Sequence, residues 1–166
     1  MGLDETTIVL RLLLAFGLGA ALGLERELRG HQAGLRTHIL VCLGACLFTL
    51  CSLFVALPLV GDTTHEARAD ISRIASQIVV GISFLGGGAI IRQETHIKGL
   101  TTAANLWLTA SVGLACGLGF NLAAGTTVVL ALIALVGLRF VEGHIIHLRR
   151  KYRLPAEDDP PGNKRP

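Results

Sequence analysis

Residues 70–92, "DISRIASQIVVGISFLGGGAIIR", set Asp70, Arg73 and Arg92 around an apolar run that holds Gly81 and the triplet Gly86-Gly87-Gly88. A phosphate loop needs G-x-x-x-x-G followed by Lys and a hydroxyl residue. Gly81 and Gly86 have that spacing, but Gly87 and Gly88 stand where the Lys and the hydroxyl belong. A dinucleotide fingerprint needs a preceding strand and a downstream acid in a βαβ unit, and the surrounding sequence supplies neither. Helical spacing fits better. Asp70, Arg73, Gln77, Gly81, Phe84 and Gly88 recur every three or four residues and fall on one helix face. That face is polar at one end and narrow at the other, which reads as a membrane helix with a close-packing seam.

Composition supports this reading. The chain has 166 residues, 51% hydrophobic and only 16% charged, against about 25% charged in a soluble domain. The charges gather in short islands, and the apolar blocks between them have the length that crosses about 30 Å of hydrocarbon. The fold class is therefore all-α: a polytopic membrane bundle of about five transmembrane helices, near 6–24, 38–60, 71–91, 101–118 and 121–140. Residues 1–140 form the transmembrane domain, and 141–166 a basic juxtamembrane segment with a disordered cytoplasmic tail. The first residues, MGLDETT, have no basic n-region, so the first block is expected to stay as a span.

Twelve Lys and Arg residues fall on one face of the five-span topology and two on the other, with Arg11 inside the first span. The positive-inside rule then puts the N-terminus outside and the C-terminus in the cytoplasm. Cys42, Cys46, Cys51 and Cys116 lie in apolar blocks, where cysteine packs as a small hydrophobe and no disulfide is expected.

A weak internal similarity suggests two parallel helical-hairpin repeats plus a fifth helix. "LGAALGLERE" from Leu18 resembles "LGGGAIIRQE" from Leu85, and "GLRTHILVCLGA" from Gly34 resembles "GLTTAANLWLTA" from Gly99. Gly34 and Gly99 would permit sharp loops, with Thr37 and Thr102 as N-caps of the returning helices.

Several residues stand out against the apolar background. Ala15, Gly19 and Gly23 form a small-xxx-small seam on the first span, and Gly81, Gly86 and Gly88 are read as close-packing glycines of the third. Asp70, Arg73 and Gln77 mark the outer end of the third span, as an ion pair or as the mouth of a polar cavity. Arg11 would snorkel to the headgroups or pair with an acid such as Asp70. Thr102, Asn105 and Thr109 share one face of the fourth span with Gly113 and Cys116. His38, Cys42 and Cys46 share a face that could meet a soft metal, but no carboxylate or second cysteine pair completes a site there, and His144 and His147, at i,i+3, are no stronger. No serine–histidine–acid or paired-carboxylate arrangement points to an enzyme, and no nucleic-acid partner is expected.

Taken together, "GLERELRGHQAGLRTHILVCLGA", "DISRIASQIVVGISFLGGGAIIR" and "KGLTTAANLWLTASVGLACGLG" resemble the MgtC/SapB family of bacterial inner-membrane proteins. The resemblance covers about residues 8–140 and includes Glu25-Arg26, Ala33 to Thr37, Arg73, Gln77, Gly81, Gly86, Gly99, Thr102 and Trp107. It implies a membrane domain linked to growth under magnesium limitation and, in pathogens, to survival inside host cells. Many members carry a soluble ACT-like C-terminal domain, whereas only about 25 residues follow the last span here.

Two mechanisms follow as expectations. In one, the chain transports Mg²⁺ or another cation. Asp70, the best metal candidate, and Gln77 would form the mouth, Thr102, Asn105 and Thr109 the path, and Glu25 the inner end. In the other, it regulates through intramembrane contacts with a second copy or another membrane protein. The glycine seams would dock helices, and Arg36, Arg92 and Lys98 would form an inner polar surface. No resident cofactor is expected, beyond Mg²⁺ itself.

Overall fold

The computed structural model describes residues 4–56, 65–93 and 96–151. Five helices occur among them: α1 (Glu5–Leu28), α2 (Leu35–Ala56), α3 (His65–Ala89), α4 (Leu100–Leu118) and α5 (Asn121–Lys151). They coincide with the five expected spans to within a few residues at most ends, although α3 starts earlier and α5 runs well past its expected end. Three helical stretches, Glu5–Leu28, Leu35–Phe54 and Asn121–Leu138, are long and apolar enough to cross a membrane, and α3 carries a shorter apolar stretch at Ser76–Ala89. The tail from 152 onward and the loop at 57–64 lie outside the described residues.

The chain divides into two compact units, residues 1–130 and 131–166. The first holds α1 to α4 and the start of α5; the second holds the rest of α5. Within the first unit α2 is central and packs on α1, α3 and α4, while α4 also meets α1 and α3.

Burial in this unit runs opposite to a water-soluble protein. The fully buried side chains are mostly small or polar: Ala15, Cys42, Cys46, Thr109, Cys116 and His38. Large apolar side chains point outward, with Phe84 at 84% and Leu122 at 86% exposure. Lipid is as apolar as leucine, so helices there associate through close approach of small residues and hydrogen bonds, with the bulky side chains left to the acyl chains.

Two glycine seams bring the backbones together. A Cβ at Gly19 would lie 2.8 Å from the Cys42 Cβ, and one at Gly23 would lie 2.8 Å from the Leu35 Cα, so α1 is pressed on α2. On the other side of α2, a Cβ at Gly113 would strike the Cys42 carbonyl oxygen, and one at Gly117 would come within 2.5 Å of the Thr49 Cβ. The α1 seam is the one legible in the sequence. The α4 seam has the same small-xxx-small spacing, on the face where Gly113 accompanies Thr102, Asn105 and Thr109.

The loops differ from expectation in physical detail. Both returning helices start one residue after a glycine, at Leu35 and Leu100, so Thr37 and Thr102 lie inside the first turn and cap neither helix. At α2 the cap comes from Glu27, whose Oε2 accepts from the Leu35 N–H at 3.0 Å. A Cβ at Gly34 would collide with that carboxylate, so Gly34 leaves room for the capping side chain and does not serve a left-handed φ. At α4 the leading residue is Gly99, with φ 92°, against which the Ala89 carbonyl is packed. The connection from α3 to α4 forms a short antiparallel ribbon, β1 (Ile91–Gln93) with β2 (His96–Lys98), that the sequence did not announce.

Candidate functional site

The polar residues of the fourth span are buried and face inward on α2. His38 is fully buried. Its Nδ1 bonds the Gly34 carbonyl at 2.8 Å, and its Nε2 lies 3.0 Å from the Asn105 Nδ2. A carbonyl only accepts, so Nδ1 carries the proton, and Nε2 accepts from the Asn105 amide. The Thr109 hydroxyl donates to the Asn105 carbonyl at 2.7 Å and the Thr49 hydroxyl to the Ala45 carbonyl at 2.7 Å. Thr102 is buried nearby. These groups form an α2–α4 clasp whose hydrogen bonds are made inside the chain.

That clasp accounts for His38 without a metal. Both ring nitrogens are occupied, and the described residues contain no group of three or more His, Cys, Asp or Glu that could hold an ion. Cys42, Cys46 and Cys116 are buried free thiols and Cys51 is an exposed one, with no disulfide among them.

Arg11 has a backbone partner among the described residues. Its Nη1 donates to the Gly117 carbonyl at 2.6 Å, across from α1 to the end of α4. There α4 closes with Gly119 at φ 88°, whose N–H bonds Cys116 and whose successor, Phe120, bonds Ala115. The last turn of a helix leaves carbonyls unpaired and carries partial negative charge. A guanidinium placed there satisfies one of them, which gives this charge its reason to lie within a span.

The C-terminal end of α1 holds a cluster of charges. Glu25 Oε1 lies 2.5 Å from Arg29 Nε, and Glu25 Oε2 lies 3.8 Å from Arg26 Nη1. Arg26 is only 3% exposed. Among the described residues its Nε and Nη2 have no hydrogen-bond partner. Arg36 is exposed and Thr37 half-buried on the first turns of α2. In the adjoining loop, burial followed by the positive charge of Arg26 holds the His31 pKa below its ordinary value.

On α3 the inward face carries Ile78, Ile82 and Gly86, with a Cβ at Gly86 in ordinary contact with Ala103 at 3.7 Å. The other glycines of the expected seam point elsewhere. Nothing described lies within 4 Å of a Cβ at Gly81, Gly87 or Gly88. Gly81 instead borders an apolar groove of about 440 Å³ with Leu40, Gly44, Phe48 and Gln77. Gly87 and Gly88 border a second, of about 630 Å³, with Thr37 and Phe84. Arg73 and Gln77 are exposed. The side chains of Asp70, Arg92, His144 and His147 lie outside the described residues.

The comparisons with known proteins agree with the sequence resemblance. An uncharacterized protein of Synechocystis sp., slr0014, is 42% identical over 139 residues, covering 84% of this chain and 55% of that one. Protein MgtC of Salmonella typhimurium is 44% identical over 123 residues, 74% of this chain and 48% of its own. YhiD of Escherichia coli K12, named as a proposed magnesium transporter, is 41% identical over 111 residues, 67% of this chain and 51% of its own. The chain thus spans about half the length of these curated relatives. No solved structure is a significant match. The MgtC family profile matches residues 12–144, and the chain belongs to the MgtC family.

Proposed function

We propose that the chain is a bacterial inner-membrane protein of adaptation to magnesium limitation, acting by regulatory contact with another membrane helix along the outer face of α3. The partner is another membrane protein or a second copy. The N-terminus is outside and the C-terminus in the cytoplasm, as the basic residues favour. The role is non-catalytic and needs no resident cofactor.

One observation carries this reading. Gly19, Gly23, Gly113 and Gly117 are consumed by packing within the chain, whereas no described residue lies within 4 Å of a Cβ at Gly81, Gly87 or Gly88, which border two grooves. Small residues on a membrane helix let another helix approach closely. Leucine at Gly81 and Gly88 would fill that face while leaving the α1–α2–α4 packing untouched. The doubly substituted chain should insert and stay folded but lose its intramembrane partner and its support of growth at low magnesium. Unchanged growth and unchanged cross-linking of α3 would refute the reading.

Cation transport is the second reading, favoured by the name of YhiD and by the exposure of Gln77 beside Arg73 at the outer part of α3. It has less support, because Asn105 and Thr109 of its expected path are bonded within the bundle. Mg²⁺ flux through reconstituted protein, abolished by Asp70→Asn, would favour it over helix docking.

A further inference from the structure

The groove of about 440 Å³ between α2 and α3 runs about 12 Å along both helices, from Leu40 to Phe48 on one and from Leu85 to Gln77 on the other. Its wall is apolar except at Gln77. Neither Phe84 nor Gly88 lines it, so a ligand held there leaves the face given to a partner helix uncovered.

Gln77 is exposed. Because α3 runs back along α2, Gln77, the first groove residue of α3, comes level with Phe48, the last of α2. The apolar stretch of α2 continues past Phe48 to Phe54, about 9 Å further along the helix. That of α3, Ser76–Ala89, begins beside Gln77 and is only about 21 Å long, short of the ~30 Å of hydrocarbon. The Gln77 amide therefore sits within the apolar thickness that α2 defines, where a polar group is costly unless it meets a partner. Arg73 stands one helical turn further toward the α2–α3 loop, exposed and on the same face as Gln77. Along this line the order is hydrocarbon wall, neutral amide, cation.

We infer that the groove holds one acyl chain of an anionic phospholipid, with the Gln77 amide bonding the glycerol ester and Arg73 pairing with the phosphate. A phospholipid presents its groups in the matching order of chain, ester and phosphate. Arg73 belongs above the groove and not in its wall, because a headgroup lies beyond the end of its chain. An apolar stretch shorter than the bilayer is met by local thinning, which brings phosphates down to the level of Arg73. A guanidinium pairs with phosphate through two parallel hydrogen bonds. An apolar helix face laid in the same groove would supply no anion for it.

The test uses the full chain, delipidated in maltoside detergent. Phosphatidylglycerol or phosphatidylcholine of matched chains is added back, and retained lipid is counted by native mass spectrometry. One phosphatidylglycerol per chain should survive at concentrations where phosphatidylcholine is lost. Gly44→Phe fills the groove from α2, at a position where a Cβ meets nothing within 4 Å, and should fold normally but lose the lipid. Arg73→Gln should weaken binding about tenfold, the worth of one charge-assisted contact, while Arg73→Lys should retain most of it. Gly44 is on α2, away from Gly81 and Gly88, so loss of lipid and loss of a partner helix are read by different variants. No saturable binding, equal retention of the two lipids, or binding unchanged by Gly44→Phe or by Arg73→Gln overturns the inference. So does a co-purifying membrane protein that Gly44→Phe releases in place of lipid.

Discussion

His38 and Asn105 meet 3.0 Å apart across the α2–α4 interface, each buried, and the second ring nitrogen of His38 is held by Gly34 on its own helix. A buried polar pair of this kind orders the bundle because losing one member leaves the other unpaired in a low-dielectric interior. Interhelical hydrogen bonds within membranes average about 0.6 kcal/mol and reach about 1.7 kcal/mol in double-mutant cycles. A cycle with His38→Ala and Asn105→Ala, read by reversible unfolding in detergent, should give coupling in that range. Additive effects would show that the contact contributes nothing.

The glycines of α4 and α3 should behave oppositely. Gly113→Ala drives a methyl group into the Cys42 carbonyl, and Gly117→Ala one onto Thr49. Overpacking of this sort typically costs about 1–3 kcal/mol, so both variants should unfold at lower denaturant or temperature. Gly81→Ala meets open space and replaces glycine by a better helix former, so it should be neutral or stabilising by up to about 1 kcal/mol.

Arg11→Gln removes the charged donor to the Gly117 carbonyl. Hydrogen bonds to charged groups are worth about 1.5–3 kcal/mol, and the junction between α4 and α5 should loosen accordingly. Hydrogen exchange at Gly119 and Phe120 is the sensitive measurement, and it should speed up in the variant. Protection equal to wild type would mean that the arginine contact is dispensable.

At the start of α2, Glu27→Ala deletes the acceptor of the Leu35 N–H. A lost N-cap costs about 0.5–2 kcal/mol. Gly34→Ala should cost no more than that, because its Cβ strikes only the end of the exposed, flexible Glu27 side chain, which can swing away and give up the cap. The diagnostic result is in the pair: with Glu27 already replaced by Ala, the penalty of Gly34→Ala should shrink.

The His31 pKa is depressed, first by burial and then by Arg26. The unfolded chain, with histidine near its ordinary value of about 6.5, then binds a proton before the folded chain does. Stability from this group is therefore complete above that value and declines as pH falls through it toward the folded pKa. An NMR titration should place the His31 midpoint below that of an unfolded reference peptide. A midpoint at or above the reference would contradict the positive field around the loop.

Helix positions were readable because apolar length and charge islands state them almost directly, and the α1 seam followed from Ala15, Gly19 and Gly23 at four-residue spacing. What the residues alone withheld was which partner each polar group meets. His38, beside Cys42 and Cys46, offered only an incomplete metal set and no evident partner, because a sequence does not show that Asn105, 67 positions away, supplies the second hydrogen bond. Arg11 was ambiguous for the same reason, its partner being a backbone carbonyl at Gly117. A buried histidine one turn into an apolar helix and an asparagine in another were the available signals for the clasp. For α3, Gly81, Gly86 and Gly88 were read together as packing glycines, although only Gly81 and Gly88 share a helical face, and packing divides them the same way, since Gly86 turns in with Ile82 while Gly81 and Gly88 do not.

That division is the basis of the functional claim, and one comparison tests it most directly. A photoreactive residue at Phe84, 84% exposed on the same side of α3, is introduced into the wild-type chain and into the Gly81→Leu, Gly88→Leu chain. Both are irradiated in cells under magnesium limitation, with growth followed in parallel. The account predicts a discrete protein adduct and sustained growth for the first, and loss of both for the second at equal membrane abundance and unfolding temperature. An adduct and growth unaffected by the leucines would contradict it.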